Sequence, residues 1–287
     1  MPELPEVETL KRELSKDLTG KTISHVRIRD TMIVSRQSPK KFIKRLVGKT
    51  VSEVSRRGKA IVISFRQGDH LIVQLAMTGQ PNYGSALKTA KVVFELSNGQ
   101  YLNYNDTRRF GRLSVIKDFD DSPFLQSLGP EPLGRDFNVK WLAKALQRRK
   151  SPIKSLLMNQ SFLAGIGNIY ASEILFRCGI HPQRPALSLK DNEITLLYQE
   201  IVGVLKEAIK FKGSSINTYR NTKGLKGTFH NRIQVYGKHL EKCPRCPFLI
   251  QRIFMAGRST FFCPNCQPIR PFPAYPSTFA RDGSREW

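Results

Sequence analysis

The chain of 287 residues is long enough for one large or two ordinary domains with proper cores. Its 47 Lys+Arg against 23 Asp+Glu leave a formal charge of +24, which points to a polyanion, since each neutralised phosphate releases condensed counterions. No apolar run reaches the ~18 residues of a membrane span, and Glu3, Glu6 and Glu8 fill the stretch where a secretion signal would be basic and then apolar. These features predict a soluble protein, cytoplasmic (with the nucleoid) or organellar, without a membrane partner. A ribosomal or membrane-surface protein would carry similar charge.

The chain opens Met1-Pro2-Glu3-Leu4-Pro5-Glu6. A small second residue permits removal of Met1, which would expose the secondary amine of Pro2 beside the Glu3 carboxyl. A chain-terminal amine titrates near about 8, so a useful fraction is nucleophilic at neutral pH. Such an amine forms a Schiff base with carbonyl-like carbons, and Glu3 could move the accompanying proton. An ordinary trimmed terminus would look the same.

Val7, Leu10, Leu14 and Leu18 follow helical spacing and Gly20 closes the segment, predicting an amphipathic helix. From Lys21 to Ile116 short β-rich runs follow, among them 59–65, 70–75 and 91–96, the last before the turn pair Asn98-Gly99. That density of strands predicts a sandwich or barrel. Gly129-Pro-Glu-Pro132 marks the change to a helical half and is the expected hinge. Ile194, Leu197, Tyr198, Ile201, Leu205, Ala208 and Ile209 predict one long helix stopped at Gly213. Residues 214–234 lack hydrophobic periodicity, which suggests a functional loop. After Gln267 the Pro-rich polar tail is expected to be disordered.

Cys243-Pro-Arg-Cys246 and Cys263-Pro-Asn-Cys266 are two knuckles sixteen residues apart. Four thiolates favour tetrahedral Zn2+ in a filled, structural shell with no place for a catalytic water. His239 is superfluous as a ligand, and Cys178 lies in an apolar helical context that suits a buried thiol. Arg258, between the knuckles, either presents a cation to phosphate or solvates a turn.

Together these features resemble the formamidopyrimidine-DNA glycosylase family over roughly residues 2–267. The motifs that carry the likeness are Pro2–Val7, Arg57-Gly-Lys59, Met77-Thr-Gly79, Asp106-Thr-Arg-Arg-Phe-Gly111, Gly129–Pro132, Gly165-Ile-Gly-Asn-Ile-Tyr170 and the Cys spacing, in the family's order. The resemblance implies an α+β fold: an N-terminal β-sandwich with flanking helices, then a helical helix–two-turn–helix domain with a four-Cys zinc β-hairpin. The implied boundaries are 1–132 for the catalytic part, 133–236 for the DNA-binding part with its lesion loop, 237–267 for the zinc finger and 268–287 for the tail. The partner it implies is damaged double-stranded DNA, bound by a monomer.

By resemblance, Pro2 attacks C1′ of an extruded nucleotide and Glu3 assists proton transfer, because a base inside the stack must be everted to be reached. Lys59 is assigned to β-elimination and Arg258 to δ-elimination. Met77, Arg108 and Phe110 would fill the vacated duplex position, as wedges do in kinked DNA. Asn168, at a helix N-terminus suited to phosphate, and Arg149 and Lys154 match family backbone contacts. Taken alone, Met77 and Phe110 would suit a core, and Lys59 an edge strand.

Two departures stand out: Gln74 where the family usually has His, and Thr89-Ala90-Lys91 where His-Asp-His is common. Lys88 or Lys91 would compensate electrostatically. The loop at 214–234 resembles the one that closes over 8-oxoguanine and so favours oxidised purines. Two alternatives remain: an endonuclease VIII-like enzyme for oxidised pyrimidines, and a non-catalytic zinc-containing nucleic-acid-binding protein. Comparing excision of 8-oxoguanine with that of thymine glycol separates the first, and the trio Pro2, Glu3 and Lys59 argues against the second.

Overall fold

The computed structural model describes residues 1–215 and 219–269. Its opening helix, α1 (Leu4–Leu18), is the one the apolar spacing predicts, and Gly20 follows it at φ 80°. The helix serves two cores. Leu4 packs among the helical residues of the second half, whereas Val7, Leu10, Leu14 and Leu18 pack against the strands.

The strands form two antiparallel four-stranded sheets. One orders β1 (Ile23–Ile28), β6 (Val92–Leu96), β7 (Tyr101–Asn105) and β5 (Gln80–Gly84). The other orders β2 (Val51–Arg57), β3 (Ala60–Phe65), β4 (His70–Gln74) and β8 (Arg112–Ile116). Residues of both sheets, such as Val26 and Phe94 from one and Ile61 and Leu71 from the other, share a single buried cluster with α1. This is the predicted sandwich. One helix escaped the sequence reading: α2 (Pro39–Leu46) interrupts the β-rich stretch, capped by Ser38, with Pro39 in its first turn and Phe42 and Leu46 buried.

The loops after β4 and β7 meet at Asp106, which is fully buried. Its carboxylate accepts from the Gly111 amide at 2.7 Å, from the Arg108 amide at 3.2 Å and from the Thr78 hydroxyl. The Tyr104 hydroxyl fills the space between the two loops. A Cβ on Gly111 would lie 1.9 Å from it, and one on Gly79 2.4 Å.

Beyond the sandwich come α3 (Pro123–Gln126), α4 (Val139–Leu146), α5 (Ile153–Met158), α6 (Asn168–Cys178) and the long α7 (Asp191–Lys210). The turns between α5 and α6 are clipped by Gln160. Its amide donates to the Met158 and Ile166 carbonyls at 2.8 Å and accepts from Gly165 N at 2.9 Å. At the expected hinge, 129–132, Glu131 pairs with Arg56 and Arg57 and accepts from Gly58 N at 2.6 Å. Two donors on one carboxylate oxygen and an ion pair on the other tie this segment to the turn before Lys59. β9 (Gln251–Met255) and β10 (Arg258–Phe262) make the terminal hairpin. Of the tail expected to be disordered, residues 270–287 lie outside the described residues, and no helix of the described residues is long and apolar enough to cross a membrane.

Gly111→Ala must displace the Tyr104 ring or one of the two loops, so it should lower stability by about 1–3 kcal/mol. A urea titration with unchanged midpoint would refute this account of the junction.

Candidate active site

The chain end sits where the two halves meet. Met1 is 45% exposed, but Pro2 is buried and Glu3 is 3% exposed. The Glu3 carboxylate accepts from the backbone N–H groups of Gly167 (2.8 Å), Ile169 (3.0 Å) and Tyr170 (3.4 Å). These are the orphan donors of the α6 N-terminus, whose partial positive charge favours an anion. The sequence suggested a phosphate there; the structure gives the place to Glu3. Gly167 makes this approach possible, since a Cβ on it would lie 2.3 Å from Glu3 Cδ.

Glu6 lies one turn deeper. It accepts from Glu3 N at 2.8 Å, from the Tyr170 hydroxyl at 2.5 Å and from Ser214 N at 2.7 Å. Burial, then the neighbouring Glu3, pushes its carboxyl up to about 7. Burial also holds the Met1 amine below its ordinary value, while Glu3 and Glu6 pull the other way.

Two cavities flank the terminus. Pro2 lines one together with Leu10, Met77, Thr107, Tyr219 and Arg220. Met1 lines the other, a cleft of about 220 Å³ shared with Lys59, Gln74, Phe110, Gln160 and Arg258. Lys59 is placed by the β2–β3 turn, which Glu131 fixes through Gly58, and Arg258 by the two-residue hairpin turn Ala256-Gly257. Both turn residues have positive φ, 47° and 70°, as a tight hairpin of this twist demands. Burial lowers the Lys59 amine, Glu3 opposes that shift and Arg258 reinforces it.

Met77, Arg108 and Phe110 come together on the loops stapled by Asp106. Arg108 Nη1 donates to Met77 Sδ at 3.1 Å, and its guanidinium lies 4.7 Å from the Phe110 ring centroid. Met77 and Phe110 remain 39% and 54% exposed, so they are not core residues. Next to each, Ala76 and Arg109 adopt positive φ, an uncommon and costly backbone for non-glycine residues.

Asn168 and Lys154, suggested above as DNA backbone contacts, bond each other and the hairpin. Lys154 is 1% exposed and donates to Asn168 Oδ1 at 2.6 Å and to Thr260 Oγ1 at 2.7 Å. Asn168 donates in turn to the Ser259 carbonyl at 2.9 Å, joining α5, α6 and the hairpin. Burial brings the Lys154 amine down to about 7, with Glu3 opposing and Arg258 adding to the shift. Arg149 is exposed after α4 and lines neither cavity. Of the departures, Gln74 lines the Lys59 cleft, Lys91 faces Asp30 at 4.0 Å, and Lys88 is exposed.

The four cysteines of the terminal hairpin place their sulfurs within 4.8 Å of one another, with Sγ–Sγ distances such as 3.8 Å for Cys243–Cys266 and 3.6 Å for Cys246–Cys266. Zn–S bonds of about 2.3 Å set tetrahedral edges of about 3.8 Å, so the sulfur set fits the ion and holds one structural zinc. Glu173 was not foreseen. Wholly buried in α6, it accepts from the amides of Gln234, Val235 and Tyr236 at 2.8–3.0 Å and ties the lead-in of the hairpin to that helix. Its one sequence signal is a charge inside the apolar run Tyr170–Phe176.

Three domain matches cover most of the chain: "Formamidopyrimidine-DNA glycosylase N-terminal domain" over residues 1–113, "Formamidopyrimidine-DNA glycosylase H2TH domain" over 128–220, and "Zinc finger found in FPG and IleRS" over 241–269. A formamidopyrimidine-DNA glycosylase of Geobacillus kaustophilus is 42% identical, covering 93% of this chain and all of the relative. Among solved structures, the MutM (FPG) protein of Thermus thermophilus superposes with TM-score 0.85 at 37% identity, covering 94% of this chain and all of that one. A Lactococcus lactis FPG bound to DNA containing an abasic site gives TM-score 0.86 at 37% identity over 93% of this chain and all of that one.

Gly167→Ala should push Glu3 out of its seat and lower kcat/KM about a hundredfold, because such displacements at a reacting centre are costly; unaltered kinetics would contradict the tie between Glu3 and α6. Cys246→Ser should release the zinc and open the hairpin, since the ion's binding energy is folding energy there. Metal analysis together with tryptic cleavage after Arg252 or Arg258 checks this.

Proposed function

The chain belongs to the formamidopyrimidine-DNA glycosylase family, and from that membership we propose a bifunctional DNA glycosylase/AP lyase that excises oxidised purines from duplex DNA. The observation that carries the mechanism is the seat of Glu3 on α6, which fixes the chain end between the two cavities. Once Met1 is removed, the Pro2 nitrogen is the terminal amine. Its lone pair attacks C1′ of an everted nucleotide. The base leaves with the electrons of its glycosidic bond and takes a proton, and ring opening of the sugar leaves an iminium on Pro2. Glu3, 3% exposed and fixed beside Pro2, moves the protons.

The iminium acidifies C2′. Loss of that proton expels the 3′ phosphate, and a second elimination expels the 5′ phosphate, giving a strand break with phosphate on both ends. Lys59 and Arg258 line the cleft in which those phosphates would lie, the first serving β-elimination and the second δ-elimination. Met77, Arg108 and Phe110 would occupy the gap left in the duplex. Asn168 and Lys154 hold the hairpin from within, and Arg149 offers an outlying phosphate contact.

The division into 1–132, 133–236 and 237–267 then separates chemistry, duplex grip and hairpin cation. Attacking amine, cleft and hairpin all come from one chain, which suits a monomer. Work on DNA suits a cytoplasmic, nucleoid-associated location or a DNA-containing organelle.

Borohydride reduction with abasic-site DNA should trap a covalent adduct, and mass spectrometry should find the sugar remnant on the Pro2 amine. A remnant on any lysine, or an adduct on protein that retains Met1, would overturn the proposal.

A further inference from the structure

We infer that Glu13 is a positioning residue: it latches residues 219–225 onto α1 and thereby holds Tyr219 and Arg220 as a wall of the cavity beside Pro2, where an everted base would lie. The inference rests on the glycosylase reading above and concerns a residue outside the proposed chemistry.

The neck of the loop closes by backbone bonds. Thr228 N donates to the Phe211 carbonyl at 2.9 Å and Phe229 N to the Gly213 carbonyl at 3.0 Å. Farther out, residues 219–225 lie along α1. Tyr219 packs into the sandwich core and donates to the Glu6 carbonyl at 3.4 Å, and it also bonds Thr9. Asn221 folds its own turn, its Oδ1 accepting from Lys223 N at 3.1 Å and Leu225 N at 2.7 Å. Its Nδ2 donates to Glu13 Oε1 at 2.9 Å. The other carboxylate oxygen takes Thr222 twice, from the amide at 2.9 Å and from the hydroxyl at 2.8 Å. Asn221 and Thr222 are 3% and 2% exposed under this clasp.

Glu6, Thr9 and Glu13 are spaced by three and four residues, so they share one face of α1. The loop is thus seated on the rod whose first turn carries the chain end. Tyr219 and Arg220, immediately before the clasp, line the cavity that contains Pro2 and Met77. A substrate with a base needs that wall in place. A substrate already lacking its base does not.

Glu13→Ala should therefore lower kcat/KM for excision of 8-oxoguanine opposite cytosine by about tenfold, the scale of one lost charge-assisted hydrogen bond. Cleavage of a preformed abasic site should stay within about twofold, a barrier change too small to implicate the chemistry. Glu13→Gln, which keeps an acceptor but cannot serve both donors sets, should fall between. Limited trypsin digestion gives an independent reading: the wild-type loop should resist cleavage after Arg220, Lys223 and Lys226, and the Ala variant should not. Unchanged excision with an equally protected loop overturns the inference. A parallel fall in both activities with a lowered Tm also overturns it, since Glu13 would then merely support the fold. If wild-type protein processes neither substrate, the glycosylase reading fails, and the trypsin comparison alone still decides for or against the latch.

Discussion

The structure turns on one electrostatic tie, the Glu3 carboxylate seated on the N-terminus of α6. It joins residues 164 to 167 positions apart and closes the sandwich half onto the helical half at the chain end. Helix N-termini attract anions because their first amides lack partners. Here the anion belongs to the protein itself, so the site is organised before any DNA arrives. Leu4 completes the junction by burying its side chain in the helical core while the rest of α1 serves the sandwich.

Other carboxylates repeat this pattern. Asp106 joins the two loops that carry Met77, Arg108 and Phe110; Glu131 fixes the turn before Lys59; Glu173 fixes the approach to the zinc hairpin. Each accepts several donors, which is what a buried carboxylate needs to offset its desolvation. In a chain of charge +24, these four acids sit where polar loops are held against their neighbours. The excess of cations over acids suits a polyanion.

The features legible in the sequence are those with local signatures. The Cys-x2-Cys knuckles announce their metal because ligand spacing is local, and α1 and α7 announce themselves by helical periodicity. The strands at 59–65, 70–75 and 91–96 were similarly plain. The missed α2 does carry a local signal, Ser38-Pro39 ahead of Phe42 and Leu46, but it is short and lies among β-rich runs. The burial of Lys154 could not be seen, because its partners Asn168 and Thr260 lie 14 and 106 residues away. A Lys among basic neighbours looks like a solvated face until the hairpin folds over it. The seat of Glu3 is hidden for the same reason: the sequence shows the helix N-terminus at Asn168 but not the carboxylate, 164 residues earlier, that its amides bind.

How closely these parts approach is set by glycines. A Cβ on Gly165 would lie 2.7 Å from the Leu4 side chain, one on Gly167 2.3 Å from Glu3, and one on Gly213 2.7 Å from Glu6. Three separate points of the helical half thus leave out a side chain to admit the first turn of α1. Gly165 and Gly213 also take positive φ, 96° and 77°, which other residues adopt only at a cost. Gly167 does not, so close approach alone explains it. The Pro2 nitrogen is therefore located by packed backbone and not by a side-chain rotamer. A proline there has no χ freedom to lose comparable to that of a lysine, so the nucleophile proposed at Pro2 would start nearer its reacting geometry than a flexible side-chain amine.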